Sequence, residues 1–210
     1  MAQNVEAYEP FRALGAVLEV VRFPYGTPTQ QLLLEAMRHL AARYDARLAS
    51  LNGRIPEHVF RIEILEEKCP PVPTPITFQE LWGSGYDVEA DRIDMYAYSE
   101  RGLSVRAGGG LARALLDPPY GLRKGLSARL GTPGYPDLDR AWMRDFVHRF
   151  CSEVLDLPDL RETAHLTIHE WSTDWSNFFD AGREWWGTFC WTIEDRKRDW
   201  TTAILASSTD

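Results

Sequence analysis

Four residues near the C-terminus, His169, Glu170, Asp174 and Glu184, carry side chains from which a hydrolytic site could be assembled. Carboxylates set beside tryptophans are the materials of glycan-cleaving sites. There the rings bind sugar faces and one buried acid keeps its proton. Trp171, Trp175, Trp185 and Trp186 interleave with these acids, so one reading of the segment is a carboxylate-dependent hydrolase acting on a glycan. Spacing singles out no acid pair, however. "STDWSNFFDAG" (172–182) also has the composition of a turn-rich connection in which Asp174 and Asp180 cap local backbone.

Other motifs suggest different chemistry. On a helix, His165 and His169 would share a face and could both ligate a metal. "HLTIHEW" favours a strand instead, where the two rings would sit about 13 Å apart, and no metal site is expected. Asp117-Pro118-Pro119-Tyr120 matches the run with which amine methyltransferases hold a flipped base. The nearest glycine-rich candidate for a cofactor loop, "LWGSGYDVEAD" (81–91), follows no apolar strand. A helix over Leu111, Leu115 and Leu116, stopped by two prolines, explains the stretch without chemistry. No G-x-S-x-G elbow, P-loop or dinucleotide fingerprint occurs, so no cofactor is expected. Cys151 falls on the apolar side of its helix, where burial makes a thiol inert.

The elements that must position any such site follow from periodicity. Residues 13–23 read as a strand apolar on both faces. Thr27, Pro28 and Gln30 form a helix start with a capping box. Leu33, Met37, Leu40, Tyr44 and Leu48 continue that helix until Asn52-Gly53 closes it. "HVFRIEILE" (58–66) alternates in period two, so strand, helix and strand suggest a right-handed crossover onto one sheet. "RIDMYAYSE" and "GLSVRA" read as a hairpin around Glu100-Arg101-Gly102. Residues 137–157 form a second amphipathic helix with Trp142, Phe146, Phe150 and Val154 inside. Residues 164–171 read as a strand, and "GTFCWTIED" with "WTTAILASS" as a C-terminal hairpin. The expectation is a single α+β domain spanning 1–210. Its mixed or antiparallel sheet would have about five to seven strands, with two main helices packed on it.

Composition narrows the partners. The net charge of −8 argues against a nucleic-acid binder. The balance is uneven: residues 51–100 hold ten acids and four bases, whereas 101–150 hold nine bases and four acids, Arg113, Arg123, Lys124 and Arg129 among the bases. The longest apolar run, "LGAVLEVV", is far short of a membrane span, and the start has no secretion pattern. Three scattered cysteines without C-x-x-C spacing fit a reducing compartment, so a soluble, acidic, cytoplasmic protein without a membrane partner is expected.

Six of the eight tryptophans follow residue 170, which makes the tail the densest feature of the chain. A core of ordinary size would not hold them all. Trp171, Trp175, Trp185 and Trp186 therefore read as anchors of a recognition surface, with Asp174 and Glu184 as charge-complementary contacts. The close "WWGTFCWTI…AILASSTD" resembles the ends of uncharacterised bacterial immunity-type proteins of toxin systems, over about the last forty residues. That resemblance implies a non-catalytic binding protein that neutralises a cognate toxin by direct contact. Its negative charge would suit a basic target.

Overall fold

The computed structural model describes residues 3–13, 18–50, 60–94, 96–99, 102–105, 109–118 and 136–207. Its centre is the hairpin of β9 (Thr188–Asp195) and β10 (Trp200–Ser207), paired in register from Trp200 opposite Asp195 to Ser207 opposite Thr188. Around it a six-stranded, wholly antiparallel sheet has the order β1-β2-β10-β9-β8-β3. The outer members are β1 (Gln3–Asn4), β2 (Glu19–Pro24), β3 (Pro73–Ile76) and β8 (Leu166–Trp171). The α+β class, the antiparallel sheet and the C-terminal hairpin agree with the sequence reading.

Period-two alternation explains why both faces are buried. Val20, Ile168, Trp191, Ile193, Ile204 and Ala206 point into one core, and Val21, Phe23, Trp171, Cys190, Ala203 and Leu205 into the other. The first face is covered by α1 (Glu9–Ala13), α3 (Phe78–Trp82), α4 (Gly110–Leu116), and α5 (Pro136–Arg149) with its π-helical extension Phe150–Val154. The second face is covered by α2 (Thr29–Ala49), which contributes Leu32, Leu33, Ala36, Met37 and Leu40, together with Phe178 and Phe179. A short helix, α6 (Asp180–Trp185), leads into β9.

Several local expectations are corrected. The capping box at Thr27 does not form. Pro28 is the N-cap residue, the Thr27 hydroxyl donates to the Pro24 carbonyl, and the Gln30 amide reaches across to the Cys69 carbonyl. The capping box instead lies at α3, where Thr77 and Glu80 exchange side-chain and backbone hydrogen bonds. Residues 60–66 make no ladder strand. Ile64 forms only an isolated bridge to Ser176, and the backbone from Arg61 to Glu63 is held by the Asn177 and Ser176 side chains. Among the described residues no strand follows α2 in parallel with β2, and every ladder of the sheet is antiparallel. Of the expected strand at 13–23, Ala13 is the last residue of α1, residues 14–17 lie outside the described residues, and pairing runs from Glu19.

The 92–107 hairpin is split. β5 (Arg92–Ile93) pairs with β4 (Tyr86–Asp87), and β6 (Tyr96–Ser99) pairs with β7 (Gly102–Val105). Helix α4 ends at Leu116 ahead of the prolines, as the sequence reads. Tyr120, Arg123, Lys124, Arg129 and the Asn52-Gly53 stop lie outside the described residues.

At the β3 edge, Val72 already exchanges hydrogen bonds with Ser172, so Thr74 and Ile76 continue toward β8. Pro73 and Pro75 then occupy the outward positions, where a strand would offer N–H groups. Lacking them, they close the edge to further pairing.

Candidate functional site

An open cleft of about 1030 Å³ lies between the β4–β5 hairpin, α3 and the 160–163 loop. Phe78, Val88 and Leu160 supply apolar lining, and Asp87, Glu89 and Asp94 supply negative charge, with Arg161 as the counter-charge. Each wall is fixed by short-range bonding. The Gln79 side-chain amide donates to the Gly83 and Tyr86 carbonyls at 3.0 and 2.8 Å, and its oxygen accepts from Val88 N–H at 2.9 Å. Asp87 accepts from Ala90 N–H at 2.9 Å, which tightens the turn between the two strands. Arg92 clasps Asp94 through two bonds of 2.9 Å. Opposite, Asp159 accepts from Arg161 N–H at 2.9 Å. Glu89 is exposed and has no ion-pair partner among the described residues.

Behind the hairpin lies a network that sequence reading missed. Asp91 sits in the left-handed region at φ 49°, and its Oδ1 accepts from the Tyr86 hydroxyl at 2.6 Å and meets His148 Nε2 at 2.8 Å. Arg144, one turn earlier on α5, approaches the second oxygen at 3.9 Å. Burial disfavours the charged form of Asp91. The hydrogen bonds from Tyr86 and His148, and the nearby charges of His148 and Arg144, outweigh that and hold its carboxyl below the usual range. Burial, then the bond to Asp91, pushes the Tyr86 phenol far up, so it stays a donor. The network ties the cleft's hairpin to α5. The one sequence signal for this region is the excess of acids in 51–100, because 57 positions separate Asp91 from its histidine.

The tail residues nominated from sequence are placed differently from expectation. Trp171, Trp175 and Trp186 are 9%, 0% and 4% exposed, so in this conformation they are core residues and not surface anchors. Trp171 donates to the Thr192 hydroxyl at 3.0 Å, and Trp186 donates to the Asp117 carbonyl at 3.0 Å. Trp186 and Phe189 meet edge to face, with ring centroids 5.8 Å apart. Glu184 and Trp185 lie on α6, with their side chains outside what is described.

Of the hydrolase set, the described members His169, Glu170 and Asp174 do not converge on one point. Glu170 and His169 are consecutive on β8 and so face opposite sides of the sheet. His169 lies on the second face beside the Trp171 ring, 5.5 Å between centroids, and its buried Nδ1 has no hydrogen-bond partner among the described residues. Asp174 lines a separate, smaller cavity. His165, by contrast, approaches Asp195 at 3.5 Å and Arg198 at 3.3 Å in the hairpin turn. Among the described residues, no three His, Cys, Asp or Glu side chains are grouped to hold a metal ion. Burial raises the pKa of all three thiols, that of Cys69 to about 11.

These features define an α+β protein with an antiparallel sheet covered on both faces and an open acidic cleft beside it. No helix among the described residues is long and apolar enough to cross a membrane. Compared with protein-family models, curated proteins and solved structures, the chain matches none.

Proposed function

We propose that this chain is a non-catalytic binding protein of the immunity or inhibitor type, which takes a basic protein partner on the cleft beside the β4–β5 hairpin. The observation that carries the reading is the cleft itself: about 1030 Å³, open to solvent, with Asp87, Glu89 and Asp94 around the half-buried Val88, and with the largely buried Phe78 and Leu160 in its lining. Apolar contact beside predominantly acidic charge, here with Arg161 as the basic member of the lining and Arg92 paired to Asp87 and Asp94, is an arrangement by which an interface gains affinity and selects its partner. The Gln79, Asp87 and Asp91 bonds hold this surface in shape before a partner arrives, which reduces the ordering penalty of association. A net charge of −8 favours encounter with a cationic partner, such as a toxin acting on nucleic acid. The likeness of the tail to immunity-type proteins supports the same reading. The buried tryptophans take no part in it. They build the scaffold beneath.

Co-purification of the chain with each product of the flanking genes tests the proposal. A basic protein should be captured, and Glu89→Lys, alone and with Asp87→Asn, should weaken it by about tenfold or more, as loss of one close charge pair does. Capture unaffected by both variants overturns the site. Failure of every flanking product to bind overturns the immunity reading.

A further inference from the structure

A second cavity, of about 290 Å³, opens where residues 63–68 meet the loop leading into α6. Its neutral polar groups are engaged in building the walls. The Ser176 hydroxyl donates to the Glu63 carbonyl at 2.7 Å, and its oxygen accepts from Phe178 N–H at 3.3 Å. The Asn177 side chain accepts from Glu63 N–H at 2.8 Å and donates to the Arg61 carbonyl at 2.9 Å. Leu65 N–H donates to the Trp175 carbonyl at 2.8 Å, which seats the segment on a fully buried indole. The walls are therefore stapled to the second core by main-chain and side-chain bonds.

The charged groups are not paired with one another. Glu63, Asp174 and Asp180 face this hollow together with Lys68 and Arg183. Among the described residues none of these five forms an ion pair, although thirteen such pairs exist elsewhere. Arg183 gives one N–H to the Thr173 carbonyl at 2.9 Å, and the rest of its planar fork stays available. Anionic and cationic side chains thus line one small cavity without neutralising one another. A ligand of either charge alone would satisfy one set and be repelled by the other. A ligand with both, a short distance apart, satisfies both.

We propose that this cavity binds a small zwitterion, a free α-amino acid. Its ammonium is taken by Asp174 and Asp180, and its carboxylate by Arg183 and Lys68. The volume lies at the small end of ligand sites, which suits one amino acid and excludes a nucleotide or an extended peptide. The carboxylate–guanidinium contact supplies the directional part of the recognition, since Arg can bind a carboxylate through two parallel bonds.

The experiment is saturation-transfer NMR on the full chain with each of the common L-amino acids. Any binder is then repeated as its N-acetyl and its carboxamide derivative. At least one free amino acid should bind, and blocking either end should weaken it tenfold or more. Arg183→Gln and Asp174→Asn should each do the same, while Arg183→Lys restores part of the loss. Glu89→Lys, in the other cavity, should leave binding unchanged, which separates this site from the cleft. Absence of binding by every amino acid at about 10 mM, or binding indifferent to both variants, overturns the proposal. Retention by a blocked derivative shows that one charge suffices and overturns the zwitterion assignment.

Discussion

Removing the carboxylate at residue 91 should unlatch the cleft's hairpin from α5, and the size of the effect follows from what each bond would leave behind. Tyr86 is fully buried, and its hydroxyl donates to Asp91 at 2.6 Å. In Asp91→Ala that hydroxyl loses its acceptor, a loss of about 1–3 kcal/mol. Alanine must also adopt the backbone of a residue at φ 49°, which adds about 1–2 kcal/mol. Asp91→Ala should therefore lose about 2–5 kcal/mol. Asp91→Asn keeps an acceptor oxygen and a side chain at ease in this region, so it should lose only about 1 kcal/mol. Tyr86→Phe removes the buried donor. Combined with Asp91→Ala, it should recover part of the loss, with a coupling of about 1–3 kcal/mol.

The same carboxylate sets a pH window. Its folded pKa is depressed, so its contribution is complete above the unfolded value, near pH 4, and disappears as pH falls through the folded value. The gap between the native chain and Asp91→Asn should thus be flat near neutrality and shrink in acid. Urea unfolding followed by tryptophan fluorescence at pH 7 and in steps below pH 4 measures both. An Asp91→Ala loss under about 1 kcal/mol, strict additivity with Tyr86→Phe, or a gap that widens in acid would refute the reasoning.

Two further perturbations test the scaffold. Trp175→Ala and Trp191→Ala, in the second and first cores, should each lower stability by about 3–5 kcal/mol in urea unfolding. A rim role predicts almost no change. Gly83→Ala would place a methyl 2.2 Å from the Gly109 carbonyl oxygen, where α3 and α4 run backbone to backbone, so a loss above about 3 kcal/mol is expected. Gly26→Ala meets nothing within 4 Å and carries only the positive-φ penalty of about 1–2 kcal/mol, which thermal unfolding will distinguish.

How much of this was readable without coordinates depended on the range of the forces involved. The β9–β10 hairpin, α4 with its proline stop and the inner face of α5 are written in local periodicity, and they form where the periodicity places them. Residues 58–66 show the opposite case. Their alternation of apolar residues reads as a strand, yet from Arg61 to Glu63 the backbone partners are side chains more than a hundred positions away. No local pattern announces that competition. The Asp91–His148 contact is hidden for the same reason, and so is the cavity that places Glu63 and Lys68 across from Asp174 and Arg183.

The tryptophans illustrate a different kind of miss, one of capacity and not of range. Counting indoles against a single core leaves a surplus that must face solvent. The sheet has two apolar faces, however, and β9 and β10 are buried on both, so the chain divides its rings between two interiors. Trp82, Trp186 and Trp191 go to one side, and Trp171 and Trp175 to the other. Because alternate residues of one strand feed both layers, aromatic density along the tail reflects its central position in the sheet. Cysteine and threonine at 190 and 192 are buried for the same reason, although period two would have put them in water. Exposed function is thereby displaced to elements that cover the sheet instead of building it. The β4–β5 hairpin, and the loop that carries Asp174, are such elements, and each lines an open cavity with charged residues.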